Sequence, residues 1–422
     1  MTSSAARAPD RPSPPPPLNV TSLSFWGQTA DEREDTFRLL RADAPVSWQP
    51  PMEGALMPPQ QEGLWVVTRH EHVLEASRRP EVYCSSQGWQ FEEVPEDILE
   101  AASSIIGMDN PRHQKLRRLV SSAFTPRQVT RLIEQIQHQA RQVVDRLLDA
   151  KCGDFVDLVA KPLPMWTVNE LMGLDDNLRE EATALADGMV SYNDPAVAAG
   201  REAGQVLNDS LVGLLTLGLD LAAHRRRHPA ADLMTNLVQA EVDGQKLTDE
   251  EIASFFVLLT VAGNDTSRNA TSHAVRALQD HPDQRRTLTQ DFPGRIDAAV
   301  EEILRWSSPV MTVRRTATRD TTLGGQHIRA GDWVALMYPS ANRDERVFTH
   351  PERFDLTRTP NPHVSFGGGG PHYCLGAFIA RAQLRAILNE LLHRAPTLEV
   401  DTPEYLVSNF VHGIKHMPCH IT

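Results

Sequence analysis

Phe366-Gly367-Gly368-Gly369-Gly370-Pro371-His372-Tyr373-Cys374-Leu375-Gly376 places five glycines around a single cysteine. Two phosphate-binding patterns fail on this stretch. A P-loop needs Lys followed by Ser or Thr after its last glycine, and a dinucleotide loop needs a strand before it and an acid about 20 residues later. Glycines at this density let the backbone approach something large and flat, with an aromatic, Phe366, packed beside it. From Cys374 through Ala377, Phe378, Ile379, Ala380 and Leu384 to Leu391 the residues have helical character, so Cys374 stands at or near a helix N-terminus. There the unpaired backbone N–H groups and the dipole favour a thiolate. A lone cysteine is ordinarily a buried packing residue, but this eleven-residue setting is not an ordinary loop.

A thiolate in a glycine-lined loop is one way a protein holds haem iron through sulfur. The rest of the chain has to be compatible with that. It has 422 residues, a net charge of −13 and 41% apolar residues; length alone allows two or three domains. With glycine the apolar share is about 47%, the range of soluble globular chains. The apolar run Ile252 to Ala262 is too short to cross a bilayer, and Met1 to Pro17 lacks the order of a signal peptide, so a cytoplasmic protein without a membrane span is expected. Cys84, Cys152, Cys374 and Cys419 include no Cys-x-x-Cys pair, which excludes a zinc knuckle and a disulfide framework. The acidic balance argues against nucleic acid as a partner.

Eleven of the 30 prolines fall in the first 59 residues, six of them between Pro9 and Pro17. Residues 1–17 are therefore expected to be extended or disordered, and 18–422 to form one domain. Val129, Leu132, Ile133, Ile136, Val143, Val144, Leu147 and Leu148 recur at helical spacing up to a stop at Gly153. Thr248 with Glu251 forms a capping box that opens a helix running to about Gln279. After Pro309, Met311 to Thr318, His327 to Ile328 and Trp333 to Tyr338 suit strands. The whole is mainly α with a small β portion.

Three further groups of residues stand out. Ala262-Gly263-Asn264-Asp265-Thr266 puts glycine and polar residues inside the long helix, at a cost in helix stability; on its own, Thr266 is explained by a bond back to the Ala262 carbonyl. Glu302 and Arg305 share one helix face, a pairing common on solvated helices. Asp109 to Arg117 places His113 and Arg117 one turn apart, and Arg315 follows Pro309 by six residues. Each of these cations alone reads as a surface charge.

Taken with the glycine loop, these residues resemble the cytochrome P450 superfamily of haem-thiolate monooxygenases, from about Ser24 to the C-terminus. The resemblance implies a helical prism around a buried haem b with Cys374 as the iron ligand. It implies that His372, His113, Arg117 and Arg315 serve the haem propionates, with Phe366, Gly367 and Gly376 shaping the loop. Phe366 stands eight residues before Cys374 where the pattern has seven, one glycine too many. Ala262 and Gly263 would leave room for dioxygen, and Asp265 with Thr266 would be the acid–alcohol pair that supplies protons. Glu302, Arg305 and Arg353, the last from Pro351-Glu352-Arg353-Phe354, would form a structural core on the cysteine side.

By the same resemblance, Ile105, Ile106, Leu258, Val261, Met311, Val313, Phe410 and Val411 line an apolar substrate pocket. Electrons would come from NAD(P)H through a ferredoxin reductase and a ferredoxin, the latter docking near Arg112, Lys115 and Arg118, with the enzyme acting as a monomer. Val261 to Ala270, with the extra loop glycine, is similar to an actinobacterial subgroup that oxidises methyl-branched lipids, terpenoids and sterol side chains. The competing readings are a peroxide-driven oxidase, a non-catalytic recruitment module of the same fold and a haem sensor. The first commonly lacks the acid–alcohol pair, the second has little use for Cys374 with Thr266, and the third needs no proton relay.

Overall fold

A computed structural model describes residues 18–55, 57–92, 104–124, 126–192 and 195–422. The proline-rich segment 1–17 lies outside the described residues. With 55% of the chain helical and no sheet larger than five strands among the described residues, the fold is mainly α, as the sequence pattern indicates.

Two helices fix the centre. The capping box at Thr248 forms in both directions, the Glu251 N–H donating to Thr248 Oγ1 at 3.2 Å and the Thr248 N–H to Glu251 Oε2 at 2.9 Å. The helix it opens runs Asp249–Asp280, about 48 Å at 1.5 Å per residue. Its flanks are buried by Phe255, Phe256, Ala270 and Ala274, and it packs on helices Pro162–Met172 and Ala203–Arg227. Helix Pro126–Ala150 ends where Lys151 turns to φ 61°, just before Gly153. Its apolar stripe, Leu132, Ile136, Val143 and Leu147, is buried against the last helix, Ala377–Arg394.

Helix Ala203–Arg227 is long and apolar enough to cross a membrane by length and composition, a segment the reading of apolar runs passed over. Its Leu207, Leu211, Leu214 and Leu221 are buried in a core cluster with Phe255 and Phe256. The stripe is thus spent on packing inside the fold.

The main sheet has the order Val46–Gln49, Leu64–Val67, Trp333–Met337, Thr312–Ala317, Tyr83–Cys84. The three strands expected after Pro309 are present within a residue or so. Thr321–Leu323 and Gln326–Ile328 form a hairpin through Gly324 and Gly325, both at positive φ. The early strands were not anticipated. Both are buried at every position; Leu64–Val67 is continuously apolar, and Val46–Gln49 alternates over only four residues, too short a run to stand out. The pairing of Leu64–Val67 with Trp333–Met337 is parallel and joins the two ends of the chain.

Candidate active site

The cysteine loop sits against helix His70–Arg78, and its glycines are needed there. A Cβ on Gly368 would lie 2.4 Å from Ser77 Oγ, and one on Gly370 the same distance from the Ser77 carbonyl. Gly367, Gly369 and Gly370 also take positive φ, which L side chains rarely adopt. The loop closes with the Cys374 N–H donating to the Phe366 carbonyl at 2.9 Å, and Gly376 caps the helix that follows. Cys374 is exposed to a cavity, yet its recessed position raises the thiol above its ordinary value, while the Gly376 N–H, Arg117 and Arg381 act in the opposite direction. The helix terminus thus favours the thiolate as expected, but it does not outweigh burial on a free thiol.

Cys374 opens onto a cavity of about 900 Å³. Phe366, Gly367, His372 and Gly376 line it from the loop, and Ala262, Gly263, Asp265 and Thr266 from the long helix. Thr266 Oγ1 donates to the Ala262 carbonyl at 2.7 Å. Gly263 is required for packing, since a Cβ there would lie 2.6 Å from Val168 Cγ2.

Asp265 is buried and ion-paired with Arg268 one turn on. Arg268 reaches Asp187 at 3.1 Å, and Asp187 pairs with Lys161 at 2.7 Å. Burial pushes the Asp265 carboxyl up to about 6, against the pull of Arg268.

Strand alternation separates the two adjacent arginines. Arg315 lines the cavity, while Arg314 donates to the Gln87 carbonyl and lies 3.5 Å from the Trp333 ring centroid. Arg117 also lines the cavity and donates to the Tyr373 carbonyl at 2.5 Å. His372 contacts Ser85 Oγ at 3.2 Å, and the His113 ring lies against it, tilted, with centroids 4.3 Å apart. His113 itself is buried and outside the cavity wall, its Nε2 without a partner. Burial, then the charges of Arg315, His113 and Arg117, push His372 down to about 2.

This donor set passes a test for a flat, dianionic, iron-bearing ligand. Arg315 is 4% exposed, and neither Arg315 nor Arg117 has a carboxylate within ion-pair distance among the described residues. A buried cation without a counterion calls for an anion. The sulfur stands on the same cavity.

Behind the loop lies a fully buried pair. Arg305 Nε and Nη2 donate to the two oxygens of Glu302, each at 2.8 Å. The remaining Arg305 donors reach the carbonyls of Asn342, Pro351 and Arg353 at 3.0 Å. Arg353 does not complete this cluster with its side chain, which is exposed beside Glu352. Arg358 does, with Nε 3.0 Å from Glu302 Oε2, joined by Asn361 at 3.0 Å and the Asp355 N–H at 2.9 Å. Arg353 supplies only its backbone carbonyl, because the turn there points its side chain outward and brings Arg358 back.

The family model for cytochrome P450 matches residues 295–402, the span that holds Glu302, Arg305 and Cys374. A methyl-branched lipid omega-hydroxylase of Mycobacterium bovis is 39% identical over 99% of this chain and 98% of its own length. The chain belongs to the cytochrome P450 family. A steroid C26-monooxygenase of Rhodococcus jostii is 36% identical over 96% of this chain and 85% of that protein. The solved structure of a Mycobacterium marinum cytochrome P450 in complex with pseudoionone superposes with a TM-score of 0.94 at 50% identity, covering 98% of this chain and all of that one. This P450 is thus a haem-thiolate monooxygenase that uses dioxygen.

The P450 cavity is apolar where substrate would lie. Ile105, Ile106, Leu258, Val261, Val313, Phe410 and Val411 all line it. Met311 does not. The strand begins at Thr312, so its alternation does not extend back to Met311, which packs with Phe25, Met52 and Leu64. The sequence reading missed Phe91, Met189, Tyr192 and Leu207, which also line the cavity. They lie in segments without a motif, and only the tertiary fold brings them there.

Proposed function

We propose that this P450 hydroxylates a methyl-branched lipid, terpenoid or steroid side chain at or near its terminus. Residues 18–422 act as one haem-thiolate domain, monomeric and cytoplasmic, and electrons come from NAD(P)H through a ferredoxin reductase and a ferredoxin. The observation that carries this reading is a single apolar cavity onto which Cys374, Thr266 and two cations without counterions all open. The names of the two relatives support the substrate class.

Cys374 Sγ would hold the iron, Arg117 and Arg315 the propionates, and His372, backed by His113, the rim of the same group. Haem, when bound, supplies the electron transfer and the oxygen chemistry. The chain supplies protons and exclusion of water. Asp265 takes a proton from the Arg268–Asp187–Lys161 side and gives it up toward the cavity. Thr266 would leave the Ala262 carbonyl to accept that proton at Oγ1 while donating its own hydroxyl proton onward into the cavity. The apolar wall from Ile105 to Val411 positions a C–H bond with few hydrogen bonds.

Arg112 and Arg118 would receive the ferredoxin together with Lys115. Two of these three are partly offset, since Arg112 lies 3.6 Å from Glu251 and Arg118 3.2 Å from Asp243.

The test is the absorption spectrum of the reduced, carbon monoxide-bound protein. A thiolate-ligated spectrum that Cys374→Ser abolishes is expected, and a histidine-type spectrum or no bound haem would overturn the reading. For the substrate class, branched lipids and sterols should displace the iron-bound water and straight-chain polar compounds should not.

A further inference from the structure

Three side chains outside the expected constellations converge on Phe366. Arg381, in the second turn of helix Ala377–Arg394, lies with its guanidinium carbon 4.4 Å from the Phe366 ring centroid. It is locked there by Glu301, whose two carboxylate oxygens accept from Arg381 Nε and Nη2 at 2.6 and 2.8 Å. Glu301 Oε2 also lies 3.0 Å from His363 Nε2, and the His363 ring is 5.9 Å from that of Phe366. The cysteine helix, the helix that carries Glu302 and the segment before the loop thus all hold one aromatic ring. Bidentate pairing of a planar guanidinium fixes direction as well as distance, and a cation over an aromatic face adds to it.

We propose that Arg381, braced by Glu301 and His363, is a positioning residue that fixes the cysteine loop through Phe366 and sets the reduction potential of the iron on Cys374. The proposal rests on the haem-thiolate reading above. Two physical arguments carry it. The loop backbone is seated on Ser77 through Gly368 and Gly370, but the Phe366 ring is held from outside the loop by Arg381 and His363. The Phe366 carbonyl takes the Cys374 N–H, so a displaced Phe366 displaces the sulfur.

The second argument is charge. Arg381 and Glu301 are only 24% and 27% exposed, and charges so shielded act over a longer range than surface ones. A cation near the iron favours the added electron and an anion opposes it. Removing either member of the pair unmasks the other.

The experiment is a spectroelectrochemical titration of the haem-loaded full chain and its variants. At a fixed applied potential, Arg381→Met should lower the ferrous-to-ferric ratio at least threefold, about 28 mV at 59 mV per tenfold for one electron. Glu301→Gln should raise it at least threefold. Arg381→Lys should fall between wild type and Arg381→Met, because it keeps the charge and loses the fork. Two variants that titrate as wild type, or that shift in the same direction as general loosening would make them, overturn the proposal. Should Arg381→Met fail to take up haem, Glu301→Gln decides alone. A wild-type protein without a thiolate spectrum would instead sink the haem reading, which keeps the two failures apart.

Discussion

The Thr266 hydroxyl spends its hydrogen bond on its own helix, on the Ala262 carbonyl 2.7 Å away, and Asp265 is held by Arg268. The Thr266 bond is local to one helix turn, so Thr266→Ala should leave stability within about 0.5 kcal/mol. It should keep consuming reductant while releasing peroxide in place of product; an unchanged ratio of product to reductant would remove Thr266 from the proton path. Thr266 and Cys374 were legible in the sequence because each sits in a fixed spacing that a helix or loop preserves. Met311 was misread because facing depends on where a strand starts, and one residue of difference turns a side chain to another core.

The Glu302 cluster is where element-scale reasoning succeeded in part. Glu302 and Arg305 are three apart on one helix, so the pair is fixed by helical geometry. The third cation comes from an irregular stretch in which the family resemblance points to Arg353, and nothing in the spacing points to Arg358. The structure separates them sharply by burial, with side chains 69% and 8% exposed. Arg353→Ala should therefore change stability by less than about 0.5 kcal/mol. Arg358→Ala leaves a buried carboxylate short of a partner and should cost about 3 kcal/mol, with haem content falling before turnover does. Equal melting temperatures for the two variants would contradict the assignment. Thr248→Ala should cost about 1 kcal/mol through the lost cap, read as a lower melting temperature without loss of haem.

Over the whole molecule, composition bounded the class but not the arrangement. The early strands Val46–Gln49 and Leu64–Val67 escaped notice because each is only four residues long and the second is continuously apolar, yet they complete the sheet. Val46–Gln49 pairs with its near neighbour Leu64–Val67, whose other partner, Trp333–Met337, lies beyond the reach of any local pattern. A second global property is acid sensitivity. His273 and His412 lie in tilted contact with ring centroids 4.0 Å apart, between the long helix and the segment that carries Phe410 and Val411. Burial pushes His273 down to about 4 and holds His412 well below its ordinary value, with Arg33 adding to both. Tyr405 stacks on the pair from the other side.

Both histidines are neutral when folded and titrate near 6.5 when unfolded. Their contribution is therefore intact above pH 6.5 and is lost as pH falls toward 4, up to about 3 kcal/mol for His273. The melting-temperature advantage of wild type over His273→Asn should accordingly shrink between pH 7 and pH 5. Asp265, raised to about 6, acts in the opposite sense, which is why the difference between variants and not the absolute curve is the measurement. At the surface, reversing Arg112 and Arg118 should slow reduction by ferredoxin without moving substrate affinity, and the wild-type rate should fall with salt; unaltered reduction rates would refute docking there.

The parallel pairing of Leu64–Val67 with Trp333–Met337 also has a meaning in time. Ribosomes add roughly 5 to 20 residues per second. Trp65 and its partner Val334 are 269 positions apart, so the first strand waits on the order of 15 to 55 seconds for the second to be made. Cys374 emerges later still. The nascent chain must carry an unfinished sheet edge through most of its synthesis, and iron capture on sulfur becomes one of the last acts of its biogenesis. Abundance in the cell should then depend on chaperone supply and on haem supply at the moment of release, more than on the stability of the finished fold.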